Sequence, residues 1–544
     1  MNVVQSLHVN LANFTDSSSI FRFGHKSIPL LAIPLILSAF THLWNPIGFP
    51  YGPSNDEGIY IRRAMHVLTG QGPQESSLYD HPYFSQFFLA GVFKIIGYPD
   101  SLNPSLGNVH SIEMLYFVPR ILMGILAVAD TFLIYRIAEY RYNKTVALIA
   151  SILFAVMPIT WIIRRVLLEP IQLPFLLSSI LFAVCYTKEA KSKNRYVLSV
   201  LLSGIFLGLA IFTKISLFSM IPLVVFIVIS QNNKNNINNT RNLRAVGLWF
   251  IPVILIPLIW PAYAISINQF DLWLHGIYFQ THRGAQTLFE SINYDFQTDP
   301  LFLSLGIIGL VFAAIRRDVV LLLWTIPFLI FLYFAGFVSY WHLVPLFPVF
   351  CIASARLIES LSNVIKRNKK VQQILLLIVI CGISIFGLAT IAKPMITSNN
   401  NFHFMATAFI SGHINENTDT KINNNNKITL ISNPFYSWIH KYGFHLNNYQ
   451  IIDYYDNILV KAKRVVLVAD TSWMSKLTHH MLGSNMEQNF ILYAKNKIAT
   501  FGNRYSNVSV YESQDDRNTS FETTFGPTGN DAFLKYNNTT SPNQ

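Results

Sequence analysis

Residues 114–136, MLYFVPRILMGILAVADTFLIYR, run directly into residues 136–144, RIAEYRYNK. The first stretch has the length of a bilayer-crossing helix, which needs roughly 17–25 mainly apolar residues. The second crowds positive charge behind it, as the cytoplasmic ends of membrane helices do. Together they read as a span that enters from outside near Met114 and leaves inside near Arg136.

The same pattern recurs along the chain. About eleven apolar runs are long enough to span, at approximately 28–45, 114–136, 145–163, 166–187, 196–213, 215–230, 245–265, 300–315, 318–338, 340–358 and 372–392. The composition agrees, because only 12% of residues are charged, whereas soluble domains carry about 25%; mean hydropathy is +0.37. The first run follows a polar segment, residues 1–27, and lacks a small-residue cleavage site, so it reads as an uncleaved anchor.

A net charge of +12 raises the possibility of nucleic acid as a partner. Most of the Lys and Arg among the spans, however, fall in RIAEYRYNK, KEAKSKNR, KNNINNTRNLR, RRD and RLIESLSNVIKRNKK, which a cytoplasmic N-terminus places inside. Topology accounts for the charge, and no nucleic acid is needed. Cys185, Cys351 and Cys381 all lie in apolar runs without metal or disulfide spacing and read as packing residues.

After residue 392 the runs shorten. KITLISNPF, YQIIDYY and RVVLVAD read as buried strands alternating with helical pieces such as SWIHKYGF and SWMSKLTHHML. The expected organisation is therefore mainly α: a polytopic membrane bundle over 28–392 with a first external loop at 46–113, an extracytoplasmic α/β domain over 393–513, and a flexible polar tail over 514–544. Asn507, Asn518, Asn537 and Asn538 begin N-x-S/T sequons on the external side.

The external face carries the chemistry. YGPSNDEGIYIRRAMHVLTGQGP, residues 51–73, sets Asp56 and Glu57 side by side with Tyr60, Arg62 and Arg63 a turn later. Cations are scarce on this side, and those present run against the orientation bias: Arg62, Arg63, Lys94, Arg120, Arg164 and Arg165 in WIIRRVLLEPIQLP, Lys214 in GLAIFTKISLF, and Arg283. Glu169 follows the Arg pair, and Asp80 and His81 lie in YDHPYFSQFF. Charges near hydrocarbon are costly and usually face a cavity or a polar partner. A cation cluster at the outer leaflet suits the phosphate of a lipid carrier, and a neighbouring carboxylate suits a general base.

In order and spacing, DEGIY, DHPYFSQ, VPRILMGIL, RRVLLEP and GLAIFTK resemble the GT-C superfamily of membrane glycosyltransferases. Nearest are the dolichyl-phosphate-mannose–protein mannosyltransferase family and the related transferases of aminoarabinose to lipid A. The resemblance covers roughly residues 28–392. It places the family's acidic pair on Asp56 and Glu57 and its tyrosine on Tyr60. The HPPxGK pattern falls on His81 to Gln86, without the second proline and the lysine, and SRxxLLD falls on Arg164 to Glu169, with Glu for Asp. SYWHLVPLFP resembles the late RYxLPxxP segment, with His342 near its basic position.

The resemblance implies transfer of a sugar, with mannose taken from the family, from a polyprenyl or dolichyl phosphate to an acceptor hydroxyl on the extracytoplasmic face. The acceptor could be a protein, lipid or glycan. The expected mechanism is inverting, with Asp56 as base and Glu57 holding its surroundings, and with Tyr60, His81, Arg120, Arg164, Arg165, Glu169, Lys214 and His342 around the substrates. No DxD motif occurs in the first loop, so no metal or other cofactor is expected. A flippase or transporter for lipid-linked glycans, for which Asp130 within the membrane is the best feature, and a non-catalytic accessory subunit are the alternatives.

Overall fold

The computed structural model describes residues 28–50, 54–75, 79–185, 193–233, 239–282, 286–364, 369–396, 401–416, 428–446, 450–453, 464–470, 496–502 and 507–514. The N-terminal segment 1–27, the tail from residue 515, the piece SWMSKLTHHML, Arg283 and the sequons at Asn518, Asn537 and Asn538 lie outside the described residues.

The described part of each of the eleven apolar runs is mainly helical, with a break at 256–258 and a non-helical end at 335–338, in keeping with the need of a chain in hydrocarbon to satisfy its peptide groups within itself. α1 (Ile28–Leu43) leads to a polar stretch holding α2 (Asn55–Leu68) and α3 (Phe84–Ile96). Then come α4 (Val109–Arg141), α5 (Lys144–Val156), a 3-10 segment at Pro158–Arg164, α6 (Leu168–Cys185) and α7 (Lys193–Thr213). A second 3-10 segment, Ile215–Met220, opens α8 (Ile221–Asn233), followed by α9 (Asn239–Leu255), α10 (Ile259–Ser266), α11 (Phe270–His282) and α12 (Leu288–Thr298). The bundle closes with α13 (Pro300–Ile315), α14 (Val319–Phe334), a 3-10 segment at Tyr340–Leu346, α15 (Phe347–Val364) and α16 (Lys369–Ile396).

Among the described residues, five helices are long and apolar enough to cross a membrane, or seven if each of two bent pairs counts as one span. The chain is a multi-pass membrane protein. α6 and the span Tyr340–Asn363 lie in the bundle's interior, with 78% and 83% of their apolar windows buried, whereas only 11% of the α16 window is. Ile374, Leu377, Ile378 and Ile385 of α16 face outward, as lipid-facing side chains do. Lipid is as apolar as leucine, so helices in it associate by close packing. Gly309 of α13 shows this: a Cβ there would lie 2.6 Å from the Ala353 carbonyl carbon of α15. Cys185 and Cys351 are buried as expected of packing residues, but Cys381 is exposed on α16 and packs into no core.

Two bends shape the end of the bundle that carries α2. α5 turns by 68° into Pro158–Arg164, and α12 turns by 119° into α13. Pro158 has no N–H with which to continue a helix. Asp299 caps α13 by accepting from Phe302 N at 3.0 Å, and its other oxygen accepts from Ile159 N at 3.3 Å. One carboxylate therefore ties both bends together.

The C-terminal unit contains α17 (Phe402–Glu416), β1 (Ile428–Ser432), α18 (Pro434–Trp438), a π-helical turn at Ile439–Gly443, β2 (Gln450–Asp453), β3 (Arg464–Asp470), β4 (Asn496–Gly502) and β5 (Asn507–Gln514). The three strands read from sequence are β1, β2 and β3. The sheet order is β2-β1-β3-β5-β4, with β1 parallel to β2 and β3 and the β5 pairings antiparallel. α18 packs against α2, where Gly58 admits it: a Cβ at Gly58 would lie 2.8 Å from Phe435 Cα.

Candidate active site

Ser54 caps α2, and its N–H donates to Glu57 Oε2 at 3.0 Å. Acidic residues in the first turn of a helix also complement its dipole. Glu57 is completely buried. Arg120 of α4 grips both of its oxygens, with Nε donating to Oε1 at 2.9 Å and Nη2 to Oε2 at 2.8 Å. Arg165 Nη1 adds a bond at 3.2 Å and Val166 N one at 3.1 Å. Burial opposes the charge, but Arg120 and then Arg165 outweigh it and hold the carboxyl at about 2. Asp56, one residue earlier, is only partly buried.

The three arginines divide their work. Arg120 Nη1 also donates to the carbonyls of Pro46 at 2.9 Å and Pro50 at 3.4 Å. Arg165 stands over the Trp161 ring. Arg164 is buried, donates from Nη2 to the Trp44 carbonyl, and stands 5.2 Å from the Phe49 ring centroid; among the described residues its Nε and Nη1 have no hydrogen-bond partner.

A second set of charges lies alongside. Lys214, between α7 and the following 3-10 segment, pairs with Glu169 in the first turn of α6. His342 Nε2 is 3.9 Å from Glu169 Oε1. Its Nδ1 accepts from Ser339 N at 3.1 Å, which assigns the ring proton to Nε2, facing Glu169. Tyr60 links the sets. Its phenol lies within electrostatic reach of Asp56, Glu169 and Asp80, and burial first, then those carboxylates, raise it well above its ordinary range. Asp56 and Arg165 also share Tyr340 as an electrostatic neighbour.

A third pair supports the first loop. Arg63 forks onto Asp80, at 2.9 Å from Nη1 and 3.0 Å from Nη2. Burial opposes the Asp80 charge, but Arg63 and then His81 keep its carboxyl below the usual range. His81 lies 6.4 Å from the Tyr60 ring, centroid to centroid. Tyr79 and Tyr83 flank the segment as buried anchors, Tyr79 OH donating to Gln269 at 2.7 Å and Tyr83 packing edge-on to Phe212, Trp260 and Tyr263.

All ten residues singled out from the sequence are described, and interactions among Asp56, Glu57, Tyr60, His81, Arg120, Arg165, Glu169, Lys214 and His342 join them into one region. Arg164 is its neighbour by sequence and by its charge interaction with Arg120, but turns toward Trp44. Lys94 is exposed on α3. The sequence reading expected the second carboxylate of the pair to hold the acceptor or an Arg but did not assign the ion pairs, and it missed Tyr116 and Trp438, which pack behind Arg120. Among the described residues, no group of three His, Cys, Asp or Glu is placed to hold a metal ion.

Residues 74–274 match the family described as dolichyl-phosphate-mannose-protein mannosyltransferase, less than half of the chain. The matched segment holds His81, Arg120, Arg164, Arg165, Glu169 and Lys214, while Asp56, Glu57 and Tyr60 precede it. A comparison with curated proteins returns no match. Solved structures share the fold. ArnT from Cupriavidus metallidurans bound to undecaprenyl phosphate is 10% identical with a TM-score of 0.55, over 89% of this chain and 97% of that one. The Archaeoglobus fulgidus oligosaccharyltransferase in the apo form is 12% identical with a TM-score of 0.53, over 83% of this chain and 71% of that one. The same archaeal protein in complex with an inhibitory peptide and a dolichol-phosphate is 14% identical with a TM-score of 0.51, over 91% of this chain and 75% of that one. The chain thus has a fold of the GT-C glycosyltransferase type.

Proposed function

We propose that the protein transfers a sugar from a polyprenyl or dolichyl phosphate to an acceptor hydroxyl on the extracytoplasmic side of the membrane, with inversion and without a metal. The observation that carries this reading is the contrast between two adjacent carboxylates. Glu57 is sealed and fully engaged by Arg120 and Arg165, whereas Asp56 is partly accessible beside them. A base must reach its substrate, and a buried, doubly paired carboxylate cannot.

In this reading Asp56 takes the proton of the acceptor hydroxyl while that oxygen bonds to the anomeric carbon. The bond from that carbon to the phosphate oxygen breaks, and its electron pair leaves with the lipid phosphate. Glu57 acts as a positioning residue for Arg120 and Arg165. Lys214 and Arg165 form a cationic wall for the leaving phosphate, with Glu169 holding Lys214 in place and His342 presenting its Nε2–H beside them. Preorganised charge of this kind stabilises the transition state, because it need not reorient during the reaction. The related fold bound to undecaprenyl phosphate supports the donor class; mannose is the sugar suggested by the matched family.

A transporter for lipid-linked glycans is the second reading. Asp130 favours it, being fully buried within α4 with neither carboxylate oxygen hydrogen-bonded among the described residues. One assay separates the two. Purified protein given labelled polyprenyl phosphate mannose and an extract of candidate acceptors should release polyprenyl phosphate in step with labelled product. Lys214→Ala should lower transfer efficiency by roughly ten- to a hundredfold, the loss of about 1.5–3 kcal/mol for one charge-assisted contact. Movement of intact donor between leaflets with no release would favour transport.

A further inference from the structure

The C-terminal unit reaches the candidate site through one short element. α18 follows β1 directly, and its Phe435 backbone lies against Gly58, two residues after Asp56. From α4, Tyr116 meets the same element. Its ring stacks on Phe435 at 4.9 Å, its hydroxyl donates to the Phe435 carbonyl at 3.3 Å, and it accepts from Trp438 Nε1 at 2.8 Å. Tyr116, Phe435 and Trp438 are each at most 1% exposed. One turn along α4, Arg120 stands 6.0 Å from the Tyr116 ring and forks onto Glu57.

The far side of α18 is tied to the sheet. Tyr436 OH donates to Asp470 at the end of β3 at 3.1 Å, and His403 Nε2 of α17 lies 3.3 Å from the same carboxylate oxygen. The strand order β2-β1-β3 opens a crevice at the carboxyl ends of the parallel strands, where open α/β sheets commonly hold ligands. Tyr436 stands across that crevice, reaching from the segment after β1 to the end of β3. The carboxyl end of the sheet therefore holds a piece of its own chain, and that piece braces α2. On the outer face of the contact, Arg62 Nη1 lies 3.5 Å from Ser437 Oγ while its Nε pairs with Glu75 at 2.8 Å.

We propose that Tyr116 is a positioning residue for catalysis. Through Trp438 and Phe435 it makes the C-terminal unit part of the mounting that holds Arg120, Glu57 and the start of α2, and so fixes where Asp56 points. The catalytic half of this proposal rests on the glycosyl-transfer reading; the mechanical half does not.

Tyr116→Phe keeps the ring and its stacking but removes the hydroxyl that joins Trp438 to Phe435. Two readouts test it in the full-length protein. The first is amide hydrogen exchange, in which residues 55–62 of α2 should exchange roughly tenfold faster while residues 168–185 of α6 are unchanged. The second is transfer from a polyprenyl phosphate sugar, in which kcat should fall roughly tenfold with the donor KM within about twofold. Trp438→Phe should give the same pattern from the other side of the contact. Unchanged exchange in α2, or an equal rise throughout the bundle, overturns the proposal. Faster α2 exchange with kcat intact overturns its catalytic half. If the wild-type protein transfers no sugar, the function reading fails, and the exchange result still decides the coupling.

Discussion

Five donors converge on the two oxygens of Glu57: Arg120 Nε and Nη2, Arg165 Nη1, and the N–H groups of Ser54 and Val166. That is how a carboxylate stays charged without water around it. The folded value of about 2 lies below the ordinary 4.5. The stabilisation is therefore present above about pH 4.5 and is lost as pH falls through about 2. Glu57→Gln should destabilise the protein by about 3–5 kcal/mol near neutral pH, because it leaves the buried Arg120 and the partly buried Arg165 without their counter-charge. Thermal unfolding in detergent should show the gap between wild type and variant shrinking as pH drops below about 4.5. A gap of constant size from about pH 6 to about pH 3 would contradict the assignment. The pair Asp56–Glu57 and a division of roles between its members were read from the sequence and its resemblance, but the burial that separates them was not. The partners that seal Glu57 lie 63 and 108 positions away, and no local pattern announces them.

Elements were legible where the solvent dictates them. Hydrocarbon forces an apolar run to be helical, so the eleven runs could be read from composition alone. β1, β2 and β3 were legible as short buried apolar runs; all five residues of β1 are buried. β4 was not, since its residues are exposed or partly so along its whole length and show no buried face. The packing of α18 on α2 was equally hidden: nothing in the sequence around Gly58 announces that Phe435 lies against it. The same holds for the cations. Position at tight turns marked Arg164, Arg165 and Lys214 as unusual, but not that Arg165 would serve Glu57, Lys214 would serve Glu169, and Arg164 would turn toward Trp44.

At the scale of the whole molecule, the proposed orientation rests on the basic loops. Ser105 in the loop between α3 and α4 and Asn496 in the C-terminal unit, both proposed to lie outside, are exposed, as is Arg316 at the turn between α13 and α14. Introduced one at a time as cysteines in a Cys381→Ser background, the first two should react with an impermeant thiol reagent in intact cells, and Arg316→Cys should not. Labelling of Arg316→Cys with protection of the other two would invert the topology and move the candidate site to the cytoplasmic side.

The central claim is that Asp56 is the base of a sugar transfer, and its most direct test is a single-turnover measurement on Asp56→Asn. Asparagine keeps the size and much of the hydrogen-bonding shape of aspartate but cannot take the acceptor proton, and loss of a general base typically costs about 10²–10⁴-fold in rate. The cations nearest the expected phosphate position, Lys214 and Arg165, are untouched by this change. Release of polyprenyl phosphate should therefore fall by at least about a hundredfold, while the lipid donor still raises the thermal unfolding midpoint as it does for wild type. An Asp56→Asn protein that releases polyprenyl phosphate at the wild-type rate would contradict the account.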